Sequence, residues 1–337
     1  MTQQIRFALI GAGGIAQSYG QAFLGHADAK LVAVADVRVE AATKLADTAG
    51  CPAFATPQEL IEGPDFDAVI VSTPPNTHEQ LATYFLNNGK HVLCEKPFTV
   101  NAESAHRMIA VARKENRVLT MASKFRYVPD VIKAKSLLED GLIGETVLFE
   151  NAFTSRVDMR NRWNSDPAIS GGGVLIDNGA HSLDLTRFFL GPLSEVHAVE
   201  GRRFQQIDVE DTVQVFVHTV KGVLGTIDLS WSINKERETY IELHGLRGTI
   251  RLGWKKSTYK LSGSNDWIQF GSGYDKVTAF RDNLGNFARH LLGREPLVIG
   301  HDDALANVAA IDAAYQSMNR SQWSRLAESR LVEEVAV

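Results

Sequence analysis

Two short stretches of the chain carry residue types that could move a proton and stabilise charge on an oxygen. Glu95, Lys96 and Pro97 directly follow an apolar run at 91–94. A lysine just past a buried strand can hydrogen-bond a hydroxyl and stabilise negative charge developing on its oxygen. Lysine also changes its proton affinity readily when desolvated. Asp177 and His181 stand four residues apart, so a helix there would put both on one face. Neutral imidazole can accept a hydroxyl proton, and a nearby carboxylate orients the ring and favours its cationic form. This set suits oxidation of an alcohol, with Lys96 polarising the oxygen, Glu95 orienting Lys96 and His181 acting as base. The plainer alternatives are a surface-loop lysine and a histidine packed in a core. Asp184, one turn further on, fits a structural place as well as a functional one.

Alcohol oxidation needs a hydride acceptor, and the amino end provides for one. Residues 5–10 form a short apolar run that leads into Gly11-Ala12-Gly13-Gly14-Ile15-Ala16, a G-x-G-x-x-A turn, with a helical pattern over 15–24. In a strand–turn–helix, Gly11 permits the tight turn, Gly13 lets the backbone approach a pyrophosphate, and Ala16 allows close helix–strand packing. Amides at the helix start, including those of Gly14 and Ile15, then face the phosphates. The next apolar run, 31–35, ends on Asp36, at about the 20-residue offset expected of a ribose-binding carboxylate. Asp36 favours NAD, because a 2′-phosphate beside it would be repelled. Arg38 keeps NADP open, since an arginine there can pair with that phosphate or stack on adenine. Methyltransferases share a glycine-rich first turn and an acidic second strand, but nothing later in the chain supports that reading.

These residues need a scaffold of alternating strands and helices. The pattern predicts helices at 41–49, 57–62, 77–88 and 102–115 and strands at 68–72, 91–95 and 118–122. Such alternation implies a parallel sheet covered on both faces, with ligands bound beyond the carboxyl ends of its strands. Gly11, Asp36, residues 72–76 and residues 95–97 should therefore converge on one crevice. After about Phe125 the pattern changes. A helix at 129–139 is followed by strands at 145–156, 195–203, 212–220, 222–230, 239–245 and 248–252, several with the two-residue alternation of a half-exposed antiparallel sheet. Amphipathic helices at 277–292 and 302–320 follow, and the tail after Arg325 is expected to be mobile. The fold class is α/β: a Rossmann dinucleotide-binding domain over 1–124, then an α+β domain with a large open, mostly antiparallel sheet over 125–337.

Length and charge set milder limits. A chain of 337 residues is comfortable for two domains. A net charge of −5 with a pI near 6.1 argues against a general nucleic-acid or anionic-membrane partner. Cys51 and Cys94 lack the spacing of a zinc site or disulfide framework, which suits a reducing cytoplasm, and no metal site is expected. No apolar run is long enough to span a bilayer.

Four motifs together are similar to the glucose–fructose oxidoreductase, inositol dehydrogenase and MocA family. They are the G-x-G-x-x-A turn, Ser72-Thr73-Pro74-Pro75-Asn76-Thr77-His78, Cys94-Glu95-Lys96-Pro97, and the stretch from Gly171, Gly172 and Gly173 through Asp177, His181 and Asp184. Ala313-Ala314-Tyr315-Gln316-Ser317 extends the resemblance to nearly the whole chain. The resemblance implies NAD(P)-dependent oxidation of a sugar or cyclic polyol hydroxyl, with His181 as catalytic histidine and Asp177 as its acidic partner. It also implies that Ser72, Thr73, Pro74, Asn76 and His78 lie along the cofactor; on position alone, Glu95 either orients Lys96 or contacts the nicotinamide ribose. His78, at a helix start, reads more readily as structural than catalytic. The three glycines would let their loop pass close to the nicotinamide.

Substrate contacts are expected from Lys96, Arg126, Arg162, Trp163, Asp177 and His181. Trp163 could stack on a sugar face, while the arginines could hold hydroxyls, a carboxylate or a phosphate. An open sheet face implies a homodimer or homotetramer. Two rivals remain: a glycosidase or lyase that oxidises a sugar transiently to permit elimination, and a non-catalytic nucleotide-binding sensor. The intact Lys96, Asp177 and His181 set speaks against the sensor, which has no need of a proton-transfer group.

Overall fold

The computed structural model describes residues 3–326 apart from 234 and 236; the tail expected to be mobile lies, from residue 327 on, outside them. The chain divides into two compact units, Met1–Tyr127 with Asp275–Leu305, and Val128–Tyr274 with Ala306–Val337.

In the first unit, unbroken apolar runs make strands that must be covered on both faces. These are β1 (Ile5–Ile10), β2 (Ala29–Ala35), β3 (Ala53–Phe54), β4 (Ala68–Val71), β5 (His91–Glu95) and β6 (Leu119–Ala122). All residues of β4 and β6 are buried. The six strands are parallel in the order β3-β2-β1-β4-β5-β6, the doubly wound arrangement that opens a ligand crevice between β1 and β4. Between them run α1 (Gly14–Phe23), α2 (Val39–Ala49), α3 (Pro57–Glu62), α4 (His78–Asn87) and α5 (Ala102–Lys114). Thr56 caps α3 by accepting from the Glu59 amide, and Asn101 caps α5 by accepting from Ser104.

The second unit begins with α6 (Pro129–Glu139), and α7 (Pro167–Ser170) leads to α8 (Val174–Leu190). Its strands are β7 (Thr146–Thr154), β8 (Leu193–Glu200), β9 (Thr212–Thr219), β10 (Leu224–Ser230), β11 (Thr239–Gly245), β12 (Gly248–Gly253), β13 (Ser257–Leu261), β14 (Ile268–Gly271) and β15 (Ser324–Arg325). They form one sheet in the order β14-β13-β12-β11-β7-β10-β9-β8-β15, antiparallel except for β7 beside β10. Buried Val213, Val215 and Val217 alternate with polar or half-exposed neighbours on β9, and buried Ile227 and Leu229 do so on β10. Helix α8 packs on β7, β9 and β10. Most of its residues are buried, the polar His181, Ser182, Asp184 and Thr186 among them.

Strand β14 is followed by α9 (Lys276–Leu291) and α10 (His301–Arg320), and β15 comes after them. The sequence reading placed everything past residue 125 in the second domain, whereas residues 275–305 pack with the first unit. The physical reason is one face of α9. Phe280, Leu284, Phe287 and Ala288, at helical spacing, enter the core that holds Phe7, Tyr19 and Phe23. The Phe7 and Phe287 rings lie 6.0 Å apart and Tyr19 and Phe280 4.6 Å apart, the latter edge-on.

Candidate active site

The glycine-rich turn sits where β1 hands over to α1. Gly11 has φ +95°, and a Cβ there would meet the Ser72 carbonyl carbon at 2.7 Å, so only glycine fits. The Gly11 amide donates to the Ala35 carbonyl at 2.8 Å, and the Ser72 hydroxyl donates to the Gly11 carbonyl at 2.8 Å. Gly13 and Gly14 differ, because a Cβ on either would point into open space. Gly13 caps α1 without a side-chain hydrogen bond, and no acidic residue stands in the first turn. Those amides and that space suit the pyrophosphate of a dinucleotide, so the residues present fit the cofactor.

Asp36 is buried at the end of β2. Its Oδ2 accepts from the Ala12 amide at 2.6 Å and its Oδ1 from the Arg38 amide at 2.8 Å. The carboxylate thus ties the glycine turn to the second strand while keeping lone pairs for ribose hydroxyls. The Arg38 side chain is largely exposed, with Nε 3.6 Å from Asp36 Oδ1.

His78 is wholly buried. Its Nε2 lies 2.9 Å from the Thr73 carbonyl and its Nδ1 3.0 Å from the Pro97 carbonyl. Burial holds this imidazole below its ordinary pKa, and the neutral ring, with a single N–H, donates to one of these two carbonyls while packing against the other. Its role is a brace between two loops of the crevice.

Glu95 ends β5. Its Oε1 accepts from the Tyr19 hydroxyl at 2.7 Å and its Oε2 from the Lys96 amide at 3.2 Å. Burial pushes its carboxyl above the usual range, opposed by the Lys124 charge and the Tyr19 hydrogen bond. The sequence reading missed Tyr19, a wholly buried residue of α1 that fixes Glu95. Arg126 is 4% exposed and pairs with Asp303 at 3.0 Å.

In the second unit, Asp177 and His181 occupy one face of α8, one turn apart. The His181 ring lies edge-on to Phe153 of β7, centroids 6.4 Å apart. Phe153 stands 6.0 Å from Trp254, which in turn reaches Tyr240 at 4.7 Å and Tyr274 at 5.7 Å. Trp254 is 38% exposed, so the tryptophan linked to His181 through Phe153 is Trp254, which sequence reasoning passed over in favour of Trp163. Arg162 and Trp163 lie on a short turn at the surface before α7. A cavity of about 640 Å³ in this unit is lined by Arg156, Arg160, Gln205 and Trp231 among others. Arg160 there is held by Asp158 at 2.7 Å.

The close approach that the glycines before α8 permit is to Glu210 and Tyr315. A Cβ on Gly172 would overlap the Tyr315 hydroxyl, and one on Gly173 would overlap the Glu210 carbonyl oxygen. Neither Glu210 nor Trp254 stands in a motif. The faint sequence signal for Glu210 is two adjacent acids, Glu210 and Asp211, at the entry to a strand. Among the described residues, Glu150, Glu242 and His244 are the one group whose ligand atoms gather closely enough to hold a metal. Glu242 there is engaged by Arg251 at 2.9 Å.

A doubly wound nucleotide-binding unit followed by an open-sheet unit that carries an Asp–His helix defines a two-domain oxidoreductase. The family described as "Oxidoreductase family, NAD-binding Rossmann fold" matches residues 5–123, and the GFO/IDH/MocA C-terminal domain matches 131–251. The chain belongs to the GFO/IDH/MocA oxidoreductase family, and its first domain is an NAD-binding Rossmann domain. It is 28% identical to an inositol 2-dehydrogenase of Rhizobium meliloti over 93% of this chain and 97% of that protein. It is 31% identical to a dTDP-3,4-didehydro-2,6-dideoxy-alpha-D-glucose 3-reductase of Streptomyces antibioticus over 74% and 75% of the two chains. In fold it matches a levoglucosan dehydrogenase solved with NADH and levoglucosan, with TM-score 0.89 at 20% identity over 96% of this chain and all of that one.

Proposed function

We propose that this oxidoreductase transfers a hydride between NAD and a ring hydroxyl of a sugar or cyclic polyol. The observation that carries the proposal is the placement of Asp177 and His181 on one face of α8, in a chain that also has a phosphate-ready glycine turn. NAD, when bound, supplies the hydride-accepting centre. Gly11, Gly13, Gly14, Ile15, Asp36, Ser72, Thr73, Pro74 and Asn76 shape its binding. Lys96 donates a hydrogen bond to the substrate oxygen and stabilises its developing charge. His181 Nδ1 or Nε2, whichever is unprotonated, takes the hydroxyl proton, and Asp177 favours the resulting imidazolium. Arg162, Trp163 and the exposed Trp254 would contact the rest of the substrate. The names of the inositol and glucose-derivative relatives support a polyhydroxylated ring as substrate.

The same reading places the protein in a reducing cytoplasm, since Cys51 and Cys94 are free thiols. No helix among the described residues is long and apolar enough to cross a membrane. Exposed Val147, Val199 and Leu224 on sheet strands support a homodimer or homotetramer, which light scattering would test.

The deciding experiment is a panel of polyols, sugars and sugar derivatives with NAD, followed by NADH absorbance. Oxidation of at least one ring polyol supports the proposal; cleavage of a glycoside without NADH accumulation replaces it with transient oxidation and elimination. Lys96→Met should keep most NAD affinity and lower kcat on the order of 100-fold. His181→Ala should remove the rise of kcat/KM with pH that a base must show. An active His181→Ala variant with that rise unchanged would transfer the base role to Lys96.

A further inference from the structure

Helix α8 starts without a cap of its own. Gly173 at its N-cap has no side chain, leaving the first-turn amides in need of acceptors from elsewhere. Glu210, just before β9, supplies them. Its Oε1 accepts from the Gly173 amide at 2.9 Å, the Leu175 amide at 3.0 Å and the Tyr315 hydroxyl at 2.8 Å. The Glu210 main chain adds a fourth tie, its carbonyl accepting from the Val174 amide at 2.9 Å. Glu210 is 4% exposed, so this carboxylate sits out of water at the positive end of a 17-residue helix. Any residue larger than glycine at 172 or 173 would collide with the arrangement. The next bond in the chain of support is already helical, with the Asp177 amide donating to the Gly173 carbonyl at 3.1 Å.

We infer that Glu210, held by Tyr315, is a positioning residue: it fixes the amino end of α8 and through it the orientation of Asp177 and His181. Neither side chain belongs to a recognisable catalytic motif, and they reach α8 from the strand side and from α10. Positioning has a large effect on rate because a small displacement of a reacting group can cost on the order of 100-fold. Burial pushes the Glu210 carboxyl above its usual range, while the Tyr315 and amide hydrogen bonds pull it back.

The inference rests on the proposed roles of Asp177 and His181, so its test includes a readout that does not need turnover. Hydrogen–deuterium exchange of the parent and Glu210→Ala reports directly on the first turn of α8. Protection of the Gly173 and Leu175 amides, which the side chain holds, should fall at least roughly tenfold in the variant. With a substrate identified from the panel, Glu210→Ala should lower kcat on the order of 100-fold while leaving the Kd for NAD within a few-fold. Glu210→Gln keeps the accepting oxygen and should recover most of the loss. Ser317→Ala serves as the control: it removes buried hydrogen bonds to His197 Nδ1 and the Ala198 amide from the same helix as Tyr315 without touching Glu210. It should lower Tm and leave kcat near the parent value.

If Glu210→Ala does not fold, Glu210→Gln and Tyr315→Phe carry the test through Tyr315→Phe lowering kcat more than KM. Parental exchange and parental kcat in Glu210→Ala would overturn the inference. Lost protection with kcat and pH profile unchanged would also overturn it, by making the cap structural alone. A parent that oxidises nothing in the panel would defeat the functional proposal, and the exchange result would still decide the cap.

Discussion

Asp36 does two things with one carboxylate. It accepts from the Ala12 and Arg38 amides, at 2.6 and 2.8 Å, and so shapes the turn proposed to hold the pyrophosphate. In the proposed site it would also set the charge that an adenosine 2′-substituent meets. A like-charge encounter costs several kcal/mol, so NADP should bind at least roughly tenfold more weakly than NAD. Asp36→Ala should narrow that gap from both sides, losing NAD affinity as the turn loosens and gaining tolerance of the phosphate. Calorimetric titration of both cofactors against both proteins measures this; NADP binding as tightly as NAD to the parent would hand the site to Arg38. The residues proposed to meet the cofactor, together with Lys96, Asp177 and His181, could be picked out in the sequence because each sits beside a glycine turn, a strand end or an i,i+4 partner. The residues that hold them could not. Tyr19 reaches Glu95 across 76 positions, and Glu210 and Tyr315 meet across 105. No local spacing announces such pairs.

At the scale of elements, the start of α1 and the pairing of β5 with β6 each make a prediction. Gly11 and Gly13 look alike in a G-x-G motif, but the fold treats them differently. Gly11→Ala forces a positive φ and a 2.7 Å approach to the Ser72 carbonyl carbon, so Tm should fall and NAD binding with it. A Cβ at Gly13 meets nothing in the chain itself, so Gly13→Ala should keep Tm close to the parent and weaken NAD alone. Equal Tm losses in both would refute the distinction. Strand β5 begins at His91, whose Nδ1 accepts from the Val118 amide at 2.9 Å just ahead of β6. That bond needs a neutral ring. Burial, reinforced by the Arg117 charge, lowers the imidazole to about 4. Below pH 6.5 the unfolded chain therefore binds a proton that the folded one refuses, and stability falls as pH drops from 6.5 toward 4. Glu95 and Glu210, pushed up by burial, act in the opposite sense, but a His91→Gln variant shares them. The Tm of the parent should therefore fall relative to His91→Gln across that window; parallel curves would remove His91 from the acid response. Elements marked by an apolar run, a side-chain cap or a proline in the first turn, such as β5, α3 and α6, stand where the sequence places them. Strands β13 and β14 left no such trace, because apart from buried Ser257 they lie half-exposed to exposed at one end of the sheet and have no buried apolar face to impose alternation.

The whole molecule departs most from a linear reading where the chain returns to its first unit. Alternating strands and helices end at β6, and nothing in the periodicity of 276–291 says which core its apolar face will enter. The fold supplies the answer: Phe280, Leu284 and Phe287 are at most 1% exposed and lie with Phe7, Tyr19 and Phe23. Beyond α9, Thr120 donates to the Ile299 carbonyl at 2.8 Å, and Arg294 pairs with Asp28 at 2.7 Å. Burying each large apolar side chain contributes roughly 2 kcal/mol, so these three supply about 6 kcal/mol. Total stabilities run to only about 5–15 kcal/mol, so losing such a share should leave the sheet unable to hold its fold. A fragment of residues 1–127 should therefore bind hydrophobic dyes, melt without a cooperative transition and bind NAD poorly. Joining 1–127 to 275–305 through a short glycine–serine linker should restore both cooperative melting and NAD binding. Calorimetry and NAD titration of the two fragments compare them directly. Cooperative unfolding and full NAD affinity in 1–127 alone would show that α9 merely covers a unit already stable, and that the sequence boundary near 125 was the energetic one.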